Sequence, residues 1–315
     1  MLRLLLDRLV FSVLTLLAVG LCLFVLTRSI AGTPARIVLG NEATADQIAA
    51  FDAEHGLDQP VFTQYLRWVG SIAGHLDFGR SLLTGKPVTE TLAESMPITL
   101  QIVGFAFLFA VAVALPLGIV SACYPGSLAD HVTRIVSVLG VSMPGFWLGL
   151  MLIRFPAVEF GWFPPGGYVP VSEGWGPHLQ SLVLPSFTLG IYYIAILSRM
   201  TRSGLLEVRG LDYIRTARAM GIGRGRMLVY ALKNALVPVV SVAAMAFGYM
   251  FGWALIVEYL FNLPGMSNGL LTAITSRDYT LVQAIVLVFT MLFILSNLVA
   301  DLINAMLNPR LGVAR

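Results

Sequence analysis

Six long stretches of this 315-residue chain are almost without charge, and they dictate most of what it can become. Residues 9–30 are interrupted only by Arg28, while 98–122, 135–153, 179–198, 235–257 and 281–300 hold no charged side chain. Each meets or nears the roughly 20 residues that a helix needs to cross about 30 Å of hydrocarbon. Lipid offers the backbone no hydrogen-bond partner, so such segments close their own bonds as helices. The expected fold is an all-α integral membrane protein with six transmembrane helices. Composition agrees, since 57% of residues are hydrophobic and only 12% charged, about half the charged share of a soluble domain. Pro116, Pro144 and Pro185 lie inside three of the runs and predict kinked helices. The first run is too long, and too well followed by others, for a cleaved signal peptide. Cys22 and Cys123 supply neither a disulfide framework nor a metal pattern.

Basic residues set the orientation. Residues 199–233 hold eight of them against Glu207 and Asp212, whereas 31–95 carry four basic and eight acidic residues, and 158–178 carry Glu159 and Glu173 with no Lys or Arg. The positive-inside rule therefore predicts a cytoplasmic 199–233 segment and cytoplasmic termini, with Trp162, Phe163 and Tyr168 as an aromatic anchor at the outer interface.

The outer segment after the first run has its own local signals. Thr44 and Gln47 form a capping-box pattern ahead of a short helix that stops at Gly56, and Pro60 begins a second helix with an apolar stripe of Tyr65, Leu66, Val69 and Ile72. DFGRS and TGKP mark turns before an amphipathic stretch leading to Pro97 at the top of the second transmembrane helix. Composition fits a structural cap on the bundle more simply than a docking surface.

The stretch YIRTARAMGIGRGRMLVYALKNALVP, residues 213–238, has five basic side chains and no acidic one. Asp212 is placed to cap a short helix over 213–220, with Gly221 as a left-handed stop. Tyr213, Ile214, Ala217 and Met220 share one face while Arg215 and Arg218 point away. Gly223 and Gly225 allow a tight reversal, and from Arg226 a helix climbs into the fifth run. Topology control and attraction to anionic lipid account for the charge. They leave unexplained the small residues Thr216, Ala217, Ala219, Gly221 and Gly223, which suit a rigid knob made for a protein pocket.

RTARAMG at 215–221 followed by ALKNALVP at 231–238 resembles the cytoplasmic EAA loop of binding-protein-dependent ABC importer permeases, in the form found in the dipeptide and oligopeptide subfamily. LDQP, QYLRWV, DFGRS, TGKPV, LPSFTLG, RMTRS, DYIRTARA, VEYLFNLPG and SRDY recur there in this order, so the resemblance spans nearly the whole chain. Arg215 departs from the Glu of the general EAA pattern. The resemblance implies a type I ABC importer permease fold. Residues 1–30 would form the N-terminus and first transmembrane helix, 31–96 a small helical extracytoplasmic segment, and 97–315 the core permease domain with its coupling loop at about 205–235. It also implies a bacterial or archaeal inner membrane, a second homologous permease, two ATP-binding subunits, an extracytoplasmic substrate-binding protein and membrane lipid as partners, with no nucleic acid.

On this resemblance Arg215, Thr216, Ala217, Arg218, Ala219, Met220, Gly221, Ile222 and Gly223 meet an ATPase subunit. Met245, Gly248 and Gly252 are candidate pore or gate residues, although ordinary packing explains them, with Met250, more simply. Asp58, Gln59, Asp77, Arg80, Pro264 and Gly265 are candidate contacts of the binding protein, and residues 261–270 a candidate gate element beneath it. The cargo would be short peptides, or solutes such as nickel chelates or glutathione. No GxxxxGK[ST] loop occurs, because Gly85 and Lys86 are followed by Pro87, so ATP and Mg belong to partner subunits and this chain needs no cofactor.

Other function classes fit less well. The four histidines, His55, His75, His131 and His178, lie outside the apolar runs and no HExxH occurs, which disfavours a membrane hydrolase. A secondary transporter is expected to carry carboxylates deep in its helices. Glu258, Asp301 and the Arg154 and Glu159 pair instead fall near helix ends, where snorkelling or a structural ion pair is the simpler role.

Overall fold

The computed structural model describes residues 2–29, 34–40, 42–54 and 56–307; Met1, His55 and the C-terminal residues on which part of the topology expectation rests lie outside them. Among the described residues fourteen helical segments follow one another. They are α1 (Leu2–Ser29), α2 (Pro34–Leu39), α3 (Ala45–Glu54), α4 (Val61–His75), α5 (Val88–Cys123), α6 (Leu128–Ser142), α7 (Gly145–Leu152), a π-helical turn (Ile153–Glu159), a 3-10 turn (Val171–Glu173), α8 (Trp175–Arg209), α9 (Asp212–Ala219), α10 (Arg224–Leu260), α11 (Met266–Thr275) and α12 (Tyr279–Leu307).

Among the described residues, α1, α5, α8, α10 and α12 are each long and apolar enough to cross a bilayer. The third run differs from the kinked helix expected of it. Met143 is extended and Pro144 caps a new helix instead of bending an old one, so α6 and the α7 segment form a broken pair bent by 102°. Pro lacks the N–H that would continue the α6 ladder. Pro185 does stay inside a continuous α8, and Pro97 lies within α5, which begins nine residues earlier at Val88.

The chain forms two compact units, one built from Thr99–Leu263 and the chain from Leu292 onward, the other from Leu5–Ile98 and Pro264–Met291. In the first, α8 is the central helix: 72% of its most apolar stretch is buried, against 33% in α5 and α10. Small residues let backbones approach it. A Cβ on Gly118 would stand 2.6 Å from the Ser198 carbonyl oxygen, and one on Gly204 3.1 Å from that of Ala235. In hydrocarbon, where apolar burial gives helices no reason to associate, such close packing and interhelical hydrogen bonds take over. The π-helical turn explains Arg154 and Glu159. Its wider register brings side chains five apart onto one face, and Arg154 Nε lies 3.1 Å from Glu159 Oε1 in an exposed ion pair. Of the expected aromatic anchor, Trp162 is exposed, but Tyr168 is half-buried and donates its hydroxyl to Gln101 Oε1 at 3.2 Å.

The second unit begins where α1 meets α4. Phe24, Tyr65 and Trp68 stack within 5.8–6.2 Å of one another, and Tyr65 donates to the Leu17 carbonyl at 2.7 Å. Leu66, expected on that stripe, is exposed. The capping box closes reciprocally, Thr44 N–H to Gln47 Oε1 at 2.9 Å and Gln47 N–H to Thr44 Oγ1 at 3.4 Å, and Gly56 follows α3 at φ +64°. Two sequence motifs far apart in the chain meet here. Buried Asp278, of SRDY, accepts from Oγ of Ser81, the last residue of DFGRS, at 2.5 Å and from the N–H of the next residue, Leu82, at 3.2 Å, while receiving the Leu281 N–H at 3.3 Å to cap α12. Asp278→Ala strands these donors and should cost about 1–3 kcal/mol. Thermal unfolding of the purified chain should show a lower midpoint, and an unchanged one would make the network dispensable.

Candidate functional site: the basic hairpin and its socket

The basic hairpin is assembled from three consecutive helices. α8 ends at Arg209, and Leu211 turns extended (φ −74°, ψ 151°) to become the N-cap of α9. Asp212, expected as the cap, is instead the first helical residue, and its carboxylate sits 3.7 Å from Arg215 on the open surface. α9 ends as anticipated. Gly221 adopts φ +76°, and the Ile222 N–H reaches back to the Ala217 carbonyl at 3.1 Å, the bond that closes a left-handed helix stop. Gly223 and Gly225 need no special backbone: Gly223 caps α10 at φ −60° and Gly225 lies within that helix. α10 then runs unbroken for 37 residues through Pro238.

One side chain seats the knob. Ile214 is 1% exposed and packs in a cluster with Ala122 of α5, Leu205 and Val208 of α8, and Ala231 and Ala235 of α10. Alanines of α5 and α10, with Leu205 and Val208 of α8, make a socket into which a single β-branched side chain fits. Ala217 is buried beside it, but Tyr213 and Met220, expected on the same face, are exposed, Met220 at 75%. Tyr213 has a different task, as its hydroxyl accepts from Asn234 Nδ2 of α10 at 2.8 Å. Arg209 donates to the Ala122 carbonyl, fastening the end of α8 to the end of α5.

A buried ion pair lies near this socket. Asp130, 1% exposed in the first turn of α6, accepts from Arg202 Nε at 2.7 Å and Nη2 at 3.0 Å, from Ser121 Oγ at 2.5 Å and from the Gly126 N–H at 3.0 Å. Both oxygens are satisfied, as a carboxylate withdrawn from water requires. Sequence reasoning missed this group, although LADH places an acid in a helix first turn after Ser127 and RMTRS supplies a basic partner.

Most of the expected ATPase-contacting residues lie on the outside of the hairpin. Arg215, Thr216, Arg218, Ala219, Met220, Gly221 and Gly223 are exposed, Ile222 is half-buried, and Ala217 is turned inward. The candidate pore residues share one face of α10 by their spacing but are unevenly covered. Met245 is 43% exposed, Gly252 has nothing within 4 Å of a built Cβ, and a Cβ on Gly248 would collide with Phe293 at 2.0 Å, while Met250 is core. The candidate binding-protein contacts all belong to the second unit. Asp58, Asp77, Arg80 and Pro264 are exposed, Gln59 is half-buried, and Gly265 is buried as the N-cap of α11. Asp77 accepts the Gly79 N–H at 2.8 Å and Arg80 donates to the Gly85 carbonyl at 3.0 Å, so both shape the turn they occupy.

Two polar residues sit deeper than their sequence positions imply. His178 is 2% exposed inside α8 and bonded through Nδ1 to the Val169 carbonyl at 2.7 Å, and Glu258 is fully buried within α10, accepting from Thr99 Oγ1 at 2.7 Å. Neither is an interfacial snorkelling group.

The long apolar helices define a multi-pass helical membrane protein, with an exposed basic hairpin joined to two of them. The chain belongs to the binding-protein-dependent transport system inner membrane component family, whose model matches residues 114–313, with the family's N-terminal model matching 1–103. A Brucella abortus chain, provisionally named a peptide transport system permease protein, is 36% identical over 314 residues, covering 98% of this chain and 99% of its own length. A Sinorhizobium fredii chain named "Probable peptide ABC transporter permease protein" is 35% identical over 307 residues, at 97% and 98% coverage. The glutathione transport system permease protein of Salmonella paratyphi A is 36% identical over 310 residues, at 98% of both chains.

Gly248 and Gly252 separate packing from function. Gly248→Ala overpacks the Phe293 ring and should destabilise the chain by about 1–3 kcal/mol, whereas Gly252→Ala, with open space around it inside a helix, should be neutral or stabilising by up to about 1 kcal/mol. Equal unfolding midpoints for the two variants would contradict the tight α10 and α12 contact.

Proposed function

We propose that this chain is a membrane permease subunit of an ATP-driven ABC importer that moves short peptides into the cytoplasm by alternating access. The basic hairpin would face the cytoplasm, with both termini on the same side, and α9 with the start of α10, residues 213–226, would dock into an ATPase subunit. A second permease, two ATP-binding subunits carrying ATP and Mg, and an extracytoplasmic binding protein would complete the assembly. The family membership and the names of its relatives support the transport role. Glutathione or a similar peptide-like solute is the second reading for the cargo, favoured by the Salmonella relative at the same 36% identity.

The observation that carries the coupling role is mechanical. A helix of eight residues, seated through Ile214 and bonded through Tyr213, is flanked by two helices of 35 and 37 residues that both qualify as membrane spans. Closure of the ATPases on nucleotide would displace α9 and tilt α8 and α10 with it, because tight packing passes displacement on as rigid-body motion.

Gly221→Val tests this in the assembled transporter. A β-branched residue at φ +76° carries strain of about 1–3 kcal/mol, so the stop at the end of α9 should loosen. ATP hydrolysis should persist while ATP-driven uptake falls, and unchanged uptake per ATP would count against the knob. Arg215→Glu combined with Arg218→Glu should reduce co-purification of the ATP-binding subunits; normal co-purification with altered membrane insertion would assign these arginines to topology alone. Uptake that persists without ATP and without binding protein would favour a secondary transporter.

A further inference from the structure

α6 is an inverted helix. Its buried positions are Asp130, Thr133, Ser137 and Gly140, all polar or small, while Leu128, Val132, Ile135, Val138 and Leu139 are exposed. Such a face has no reason to leave water for a protein core, and it fits a helix whose outer side meets lipid or protein and whose inner side is held by hydrogen bonds.

The buried face runs along α8 as one seam. At the end nearest the hairpin, Arg202 grips Asp130 with two hydrogen bonds. Two turns on, the Ser137 and Ser198 hydroxyls are 3.1 Å apart. One turn further, a Cβ on Gly140 would lie 3.0 Å from the Ala195 Cβ and 3.2 Å from the Ile191 carbonyl oxygen, so the helices touch. The contacts ascend α6 as they descend α8, with a step of three to four residues near the break, as an antiparallel pair requires. Beyond Gly140 the path ends at Met143 and Pro144, where the chain bends by 102°. Ser121 of α5 joins the first rivet, so side chains of three helices meet there.

We propose that α6 and α8 move as one rigid body during transport, with Asp130 and Arg202 as positioning residues that carry displacement of α9 through α8 to the broken joint at residues 143–144. This rests on the coupling role of α9 proposed above. The joint lacks a helical bond across Pro144, so it can change angle where the seam cannot slide.

The test is a disulfide between Ser137→Cys and Ser198→Cys, made in a chain whose Cys22 and Cys123 are replaced by Ser, and reconstituted with its partner subunits in liposomes. Oxidation should cross-link the pair in high yield, and ATP-driven uptake of radiolabelled trialanine should stay within about twofold of the reduced protein, because no relative motion is blocked. Uptake that drops about tenfold on oxidation and recovers on reduction would overturn the proposal, since the helices would then have to slide. So would failure to cross-link, given hydroxyls already in contact.

Asp130→Asn and Arg202→Lys open the charged end without removing the seam, as Lys cannot reproduce the two-pronged grip. Trialanine moved per ATP should fall in both. A loss of assembled protein with an unchanged ratio would reduce the pair to a structural role and overturn it. Absence of uptake in the reduced, unsubstituted complex would count against the transport reading instead, while cross-link yields with and without nucleotide still report whether the seam holds.

Discussion

Hydrogen bonds that cannot go to water organise this molecule. In hydrocarbon the backbone must be helical, and helices once formed gain nothing from burying apolar surface against each other. What holds them is the residue set that a soluble core would exclude. Asp130 with Arg202, Ser137 with Ser198, Thr99 with Glu258, and glycines 118, 140 and 204 against facing backbones all lie within one unit. α8 is the most buried helix because it bears several of these contacts.

The hairpin depends on the same logic at smaller scale. α9 is too short to be stable alone, and it persists because Ile214 fills a socket of Ala122, Leu205, Val208, Ala231 and Ala235 while Tyr213 and Asn234 close a bond across to α10. Charge on its outer surface is solvated and decides what approaches it, not whether it forms. Met220, Arg215 and Arg218 are all exposed on it, so the hairpin offers an approaching partner both apolar and basic side chains.

Much of this was legible in the sequence. Uncharged runs of about 20 residues located the long helices, and Thr44, Gln47, Gly56 and Gly221 marked ends that the structure bears out, since capping and left-handed stops are local events. Pro144 was legible as a disturbance but not as a break, because whether a proline kinks or ends a helix depends on neighbours. Asp212 and Leu211 exchanged roles by a single position, within the ordinary slack of helix ends. Glu258 looked interfacial, and His178 lay outside the apolar runs, because run boundaries follow charge, whereas both residues sit within helices and are buried. The Asp130 and Arg202 pair, 72 residues apart, is a tertiary fact with no periodic trace.

The central claim is that α9 is a force-receiving knob presented to a nucleotide-driven partner. A photoactivatable cross-linker placed at Met220, the most exposed apolar side chain of the hairpin, tests it in intact membranes that hold the whole transporter. The account predicts adducts to an ATP-binding subunit, with a yield that changes between nucleotide-free and ATP-trapped states. Adducts to lipid alone, or to the extracytoplasmic binding protein, would contradict it.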